Sequence, residues 1–213
     1  MEYVELFSFI EKCCEIYGID ASHGIQHSKG CVEWVQQLFC EEPDMCADEK
    51  KVAIYAAALH DMCDKKYTNP VEASERIRSW LLEQGWSQDM TDAVIQIVTS
   101  MSYSSLKKAA VRGIPIYPDL GKWQKAYHLA RHADLLDAYR VGRCFLYTQH
   151  IYPGISDDEC WRIVEELFNV RIFRYVQDGW IAYPKAIVLS QDLERDARRS
   201  FLEKRFEYSQ EKN

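Results

Sequence analysis

Along this chain apolar residues recur every three or four positions in segment after segment, the spacing of one buried helix face, and no convincing pair of strands interrupts them. Tyr3, Phe7, Ile10, Cys14 and Tyr17 share a face over residues 2–17, and Gly18 supplies a stop. Asp20 or Ser22 caps a second helix running to about Phe39, with His27, Cys31, Val35 and Leu38 in register on its inner side. After an acidic loop over 41–49, Val52, Tyr55, Ala56, Leu59 and Met62 or Cys63 form the stripe of a third helix, which the pattern continues as far as Asn69 and Pro70. Asn69 as cap, Pro70 at the first helical position and Gly85 at the far end bracket a fourth. Ser87 opens a fifth, with Val94, Ile97, Val98 and Met101 inward.

Residues 102–121 break the periodicity. Two prolines and a basic patch (Lys107, Lys108, Arg112) predict a long ordered loop with an extended stretch over 114–118, the kind of segment that serves as a lid. Helix returns over 122–139, where Ala126, Ala130 and Ala133 keep the surface small around His128, His132, Asp134 and Asp137. Ser156 and Glu159 form a capping box for a helix through Ile163, Leu167 and Val170 that Asp178 and Gly179 end. A last amphipathic helix runs from Pro184 to about Tyr208, and its charge run reads as a solvated face. The expectation is one all-α domain, 1–213, of six to nine helices.

Composition narrows the function classes. A chain of 213 residues supports one good-sized core, and 9 glycines are too few for the turns of an all-β fold. With 33 acidic against 26 basic residues, no surface is built to hold DNA or RNA polymers by their phosphates, so a small anionic substrate in a local basic pocket is the remaining option. The first fourteen residues lack the regions of a signal peptide, and no apolar run approaches the roughly 20 residues that span a bilayer. A cytoplasmic monomer or homodimer with no membrane partner is expected. Eight scattered cysteines form no CxxC pair and read as reduced, mostly buried thiols.

Three of the apolar helices carry the same anomaly. His27 lies on the inner face of the second, His60 and Asp61 end the stripe of the third, and Asp134 sits among the alanines of the sixth. Such groups are costly to bury unless paired, hydrogen-bonded or bound to a metal. Two imidazoles and two carboxylates make a mixed site suited to Mn²⁺, Mg²⁺, Co²⁺, Ni²⁺, Fe²⁺ or Zn²⁺, with positions left open for water and substrate. His23, His128 and His132 are candidates for a second ion, although hydrogen bonding is their simpler role, and Asp137 reads as a partner of the ligands. Lys29, Lys66, Lys107, Lys108, Arg112, Arg140 and Arg143 are available to clamp a phosphate.

The pieces SHGIQHSKGCV, ALHDMCDKKY and RHADLLDAYRVGR follow one another in an order that resembles the HD-domain metal-dependent phosphohydrolases. The HDxxDxK form of the second piece is most similar to the small bacterial-type branch that hydrolyses nucleoside triphosphates. The likeness spans about 20–147. It implies an all-α HD bundle holding one divalent ion on His27, His60, Asp61 and Asp134. Asp64 would orient or deprotonate water and Lys66 would meet a phosphate. Of the clamp candidates, Lys66 and Arg143 are favoured because they sit nearest the motif helices in sequence, with Arg140 and Lys29 as further substrate contacts. The implied substrate is a small phosphorylated metabolite, a nucleotide first of all, split to monophosphate and pyrophosphate or dephosphorylated to nucleoside. A non-catalytic HD protein that binds metal and nucleotide is the alternative. His132 and Leu135 replace an Asp and an Arg of the family's usual run, which bears on substrate choice more than on metal binding.

Overall fold

The computed structural model describes residues 3–211, of which the ordered elements are helical. Ten α-helices follow in order: α1 Val4–Tyr17, α2 Ile25–Leu38, α3 Ala47–Leu59, α4 Pro70–Glu83, α5 Gln88–Ser100, α6 Tyr103–Ala109, α7 Gln124–Asp137, α8 Val141–Ile151, α9 Asp157–Val170 and α10 Pro184–Glu211. The fold class is all-α, and no strand occurs among the described residues. No helix among them is long and apolar enough to cross a membrane.

Three helices start at the expected caps, because a side-chain oxygen satisfies an amide that the first turn leaves unpaired; the second does not, since α2 starts on Gly24 without a side-chain cap and neither Asp20 nor Ser22 caps it. Asn69 accepts from the Val71 N–H at 3.0 Å, Ser87 from Met90 at 3.3 Å and Ser156 from Glu159 at 3.3 Å. Where no such signal exists, the pattern misleads. Residues 102–121 are not wholly loop, since α6 occupies seven of them with only Tyr103 and Leu106 buried, one apolar pair too short to show as periodicity. The extended stretch expected over 114–118 reduces to an isolated bridge between Val111 and Ile114. Helix α8 starts at Arg140, which makes no side-chain cap, and so merges in the sequence with the end of α7.

The third helix also ends early. It stops at Leu59, residues 60–63 form a 3₁₀ turn, and Asp64 leaves helical geometry at φ −70°, ψ 123°. A 3₁₀ turn has three residues per turn, so His60 and Asp61 are swung about 120° apart around the axis.

Helices α2, α3 and α7 pack mutually and form the centre, with α5 against α3, α4 against α5, α1 against α2 and α10 against α7. Helices α8 and α9 pair beside them. Small residues permit the close central packing: Ala56, Ala57 and Ala58 on α3 and Ala126, Ala130 and Ala133 on α7 are wholly buried. Gly30 of α2 marks the tightest approach. A Cβ there would lie 2.3 Å from Asp137 Oδ1 and 2.8 Å from the Arg140 guanidinium, whereas one on Gly142 would meet nothing within 4 Å.

Gly30→Ala is therefore expected to destabilise the fold by about 2 kcal/mol through overpacking, seen as a melting temperature lower by roughly 4–8 °C. Gly142→Ala, in the open first turn of α8, should leave the melting temperature level or slightly raised, both measured by calorimetry with chelator present.

Candidate metal centre

His27 and His60 are buried, and each imidazole is held by its Nδ1 atom. The His27 Nδ1–H donates to Asp137 Oδ2 at 2.6 Å, and the His60 Nδ1–H donates to the Ala57 carbonyl at 2.8 Å. Those bonds fix the tautomers and leave both Nε2 atoms as acceptors. The two Nε2 atoms face each other at 3.3 Å. Asp61 adds Oδ2 at 3.2 Å from His27 Nε2 and Oδ1 at 3.4 Å from His60 Nε2. Asp134 Oδ1 lies 3.6 Å and 3.5 Å from the same two nitrogens.

Lone pairs turned on one another in a dry interior demand a cation between them. With metal–ligand bonds of about 2.1 Å, neighbouring donors stand roughly 3.0 Å apart in octahedral and 3.4 Å apart in tetrahedral geometry. The observed spacings match. Asp61 Oδ2 is buried without a hydrogen-bond partner among the described residues, an orphan that a bound ion would satisfy. Without an ion, a proton answers the same demand: burial opposes charge on His60, but Asp61 and Asp134 outweigh it and hold its pKa up to about 9. The two carboxyl groups are in turn driven well below the usual carboxylate range, against burial, by the imidazoles.

His27, Cys31 and His60 are a buried group that could hold a metal ion, with ligand atoms all within 4.8 Å of one another. The thiol is the poorer donor. Cys31 Sγ lies 3.7 Å from both ring nitrogens of His27, a position off either lone-pair axis. Burial and the neighbouring Asp137 and Asp134 push its pKa far up, which keeps it a thiol. The Asp61 and Asp134 carboxylates fit the donor set better.

The centre opens onto a cavity of about 410 Å³. At its polar end stand His60, Asp61, Asp134, Arg143, Lys66, Asp64 and His23; beyond them the walls turn apolar with Leu135, Ala138, Cys144, Leu167, Ile172 and Tyr175. Arg143 reaches in from α8. Its Nε donates to the Ser22 carbonyl at 2.6 Å and one terminal nitrogen lies 3.2 Å from His27 Nε2. Burial opposes its charge, and Asp134, Asp61 and Asp137 more than restore it.

Asp64 and Lys66 line the same cavity. Asp64 Oδ1 accepts the Lys66 backbone N–H at 2.9 Å, and Oδ2 lies 3.2 Å from the Lys66 ammonium. That ammonium is 3.3 Å from His23 Nε2 and faces the Tyr147 ring. Behind them Tyr67 donates to Asp20, which also accepts from Ser22. Burial resists the Asp20 charge, but hydrogen bonds from His23, Ser22 and Tyr67 hold its carboxyl well below the ordinary range.

The structure thus brings His27, His60, Asp61 and Asp134 together and sets Asp64, Lys66 and Arg143 on the adjoining walls. Lys29 and Arg140 are not brought in: Lys29 lies over the Phe7 ring, and Arg140 pairs with Asp137 at 2.9 Å behind His27. Neither is retained as a substrate contact. His128 and His132 build no second centre. His132 donates to the His128 carbonyl at 2.6 Å, accepts the Ala182 N–H at 3.1 Å and stacks on Tyr183. Burial and Arg131 lower the pKa of His132 to about 3, so it is a neutral strut. Asp20, Tyr67, Tyr147, Arg171 and Tyr175 carry no motif, and the sequence reading assigned none of them to the site. All eight cysteines are free.

No family model and no curated protein matches the chain. Among solved structures, a crystal structure of a Lactobacillus plantarum protein, determined as a Northeast Structural Genomics target, is similar over 98% of this chain and 99% of that one, with a TM-score of 0.67 at 18% identity. At that identity the likeness is one of fold.

Proposed function

We propose that this chain is a metal-dependent phosphohydrolase of the HD type, acting on a small phosphorylated metabolite, a nucleotide foremost. One observation carries the reading: two tautomer-fixed imidazoles and two carboxylates converge at 3.2–3.6 Å beside two cationic side chains that line a cavity. A divalent ion held by His27, His60, Asp61 and Asp134 would supply a Lewis acid that brings the pKa of its water towards neutrality.

The residues of the chain do the rest. Asp137 and the Ala57 carbonyl keep the imidazoles turned inward, and Arg143 and Lys66, both lining the cavity, meet phosphoryl oxygens. Asp64, facing the cavity, receives the proton of the attacking water. The apolar stretch beyond, with Leu135, Ala138 and Tyr175, excludes water and suits the body of a nucleoside better than bare inorganic phosphate.

Protein purified without chelator is expected to carry one equivalent of a divalent metal and to hydrolyse members of a nucleotide panel, with pyrophosphate and orthophosphate release telling the two bond choices apart. Absence of turnover for every phosphate ester and anhydride, with each of the six ions, sinks the reading. His60→Ala and Asp61→Ala should lose metal and hydrolysis together, whereas Asp137→Asn should stay folded and bind metal about 10- to 100-fold more weakly.

Asp64→Asn should keep its metal and lower kcat by about 10²- to 10⁴-fold. An unchanged kcat would leave Asp64 as nothing more than the anchor of Lys66.

A further inference from the structure

Arg171 lines the same cavity but takes no part in the chemistry above, and it has no carboxylate partner among the described residues. Of the other cationic side chains of the cavity, Arg143 is compensated by Asp61, Asp134 and Asp137 and Lys66 by Asp64, while Lys65 is exposed to solvent. Arg171 is instead held by neutral groups. Its Nε donates to the Tyr175 hydroxyl at 2.8 Å, and its guanidinium carbon stands 4.1 Å from the centre of the Tyr103 ring.

That arrangement fixes the head group without spending it. A guanidinium carries five N–H donors, and one of them is used by Tyr175. The Tyr175 hydroxyl is wholly buried and accepts that bond, which anchors the guanidinium from behind. Arg171 itself is half-buried on the cavity wall, and an anion entering the cavity would supply the carboxylate or phosphate partner that the cation lacks. Leu135, Ala138 and Cys144 lie on the wall as well and give the cavity its apolar part.

We propose that Arg171, oriented by Tyr103 and Tyr175, is a second anion-recognition point that selects substrates bearing a further oxyanion, carboxylate or phosphate, besides the scissile phosphate. The proposal rests on the phosphohydrolase reading for the identity of the first phosphate. It makes Arg171 the source of specificity: a bidentate N–H···O pair to a charged group in a partly dry pocket discriminates strongly against a neutral analogue.

The test uses the full-length protein with added Mn²⁺ and two matched pairs: phenyl phosphate against 4-carboxyphenyl phosphate, and adenosine 5′-monophosphate against adenosine 3′,5′-bisphosphate. In the wild-type protein kcat/KM for the doubly anionic member of at least one pair should exceed its partner's by about tenfold or more. The pair that responds identifies the oxyanion. Arg171→Gln, which can still donate to Tyr175, should bring the ratio close to one, and Arg171→Lys should restore part of it. Calorimetric affinities for phenylphosphonate and 4-carboxyphenylphosphonate, which are not hydrolysed, give the same comparison without turnover. A wild-type ratio near one in every pair, or a ratio that survives Arg171→Gln, overturns the proposal. Turnover without charge preference would do so and leave the hydrolase reading standing; an Arg171-dependent preference for the doubly anionic phosphonate without any turnover would do the reverse.

Discussion

Four acceptor groups turned towards one point, at the buried end of a cavity, need a positive charge among them. Most of the architecture around residues 27–31, 57–64 and 130–137 serves that requirement. Alanine and glycine at the contacts of α2, α3 and α7 let three backbones come close enough for short side chains to meet, and the 3₁₀ turn after Leu59 swings His60 and Asp61 round to the same point. The two histidines are anchored in different ways, one by a carboxylate from a neighbouring helix and one by a carbonyl of its own. The second anchor belongs to the backbone and is independent of any side chain, so half of the centre is built into the way α3 ends.

The cavity mouth has its own logic. The segment that carries Asp64 and Lys66 has no regular structure after residue 63, yet it is tied down: Asp64 O accepts the N–H groups of Tyr67 at 2.9 Å and Thr68 at 3.1 Å, and Tyr67 reaches across to Asp20. Asp20 in turn holds the turn that leads into α2. An opening of either segment breaks the contacts of the other, so the two sides of the mouth behave as one local unit.

How much of this could be read from the residues alone follows from what each one disturbs. His27, His60, Asp61 and Asp134 were legible because each interrupts an apolar stripe, and a polar group at a buried phase of a helix has few cheap explanations. Asp137 was legible as a partner for the same reason. Lys66 and Arg143 were favoured for nearness to the motif helices in sequence, and both line the cavity; Lys29 and Arg140, the further candidates, do not, because two residues beyond His27 is close to the opposite side of α2 and Arg140 falls at the junction of α7 and α8, turned back onto Asp137. Arg171 and Tyr175 were invisible, since they follow α9 in a turn without a motif and reach the cavity only through tertiary packing. Helices α6 and α8 escaped because one is too short for periodicity and the other lacks a capping side chain.

The pairing of Arg140 with Asp137 has a consequence for the electrical character of the cavity. Because that carboxylate is already answered by a guanidinium from outside, the charges facing the metal-free centre are the two carboxylates of Asp61 and Asp134 against the cation of Arg143 and the proton held by His60. The metal-free centre is thus close to neutral, whereas a divalent ion that displaces the proton leaves it one charge more positive and attracts an anion. Loading of the centre and binding of an anion in the cavity are then thermodynamically linked, each strengthening the other by the same factor. In such a scheme the order of binding is set by electrostatics, with no moving part required.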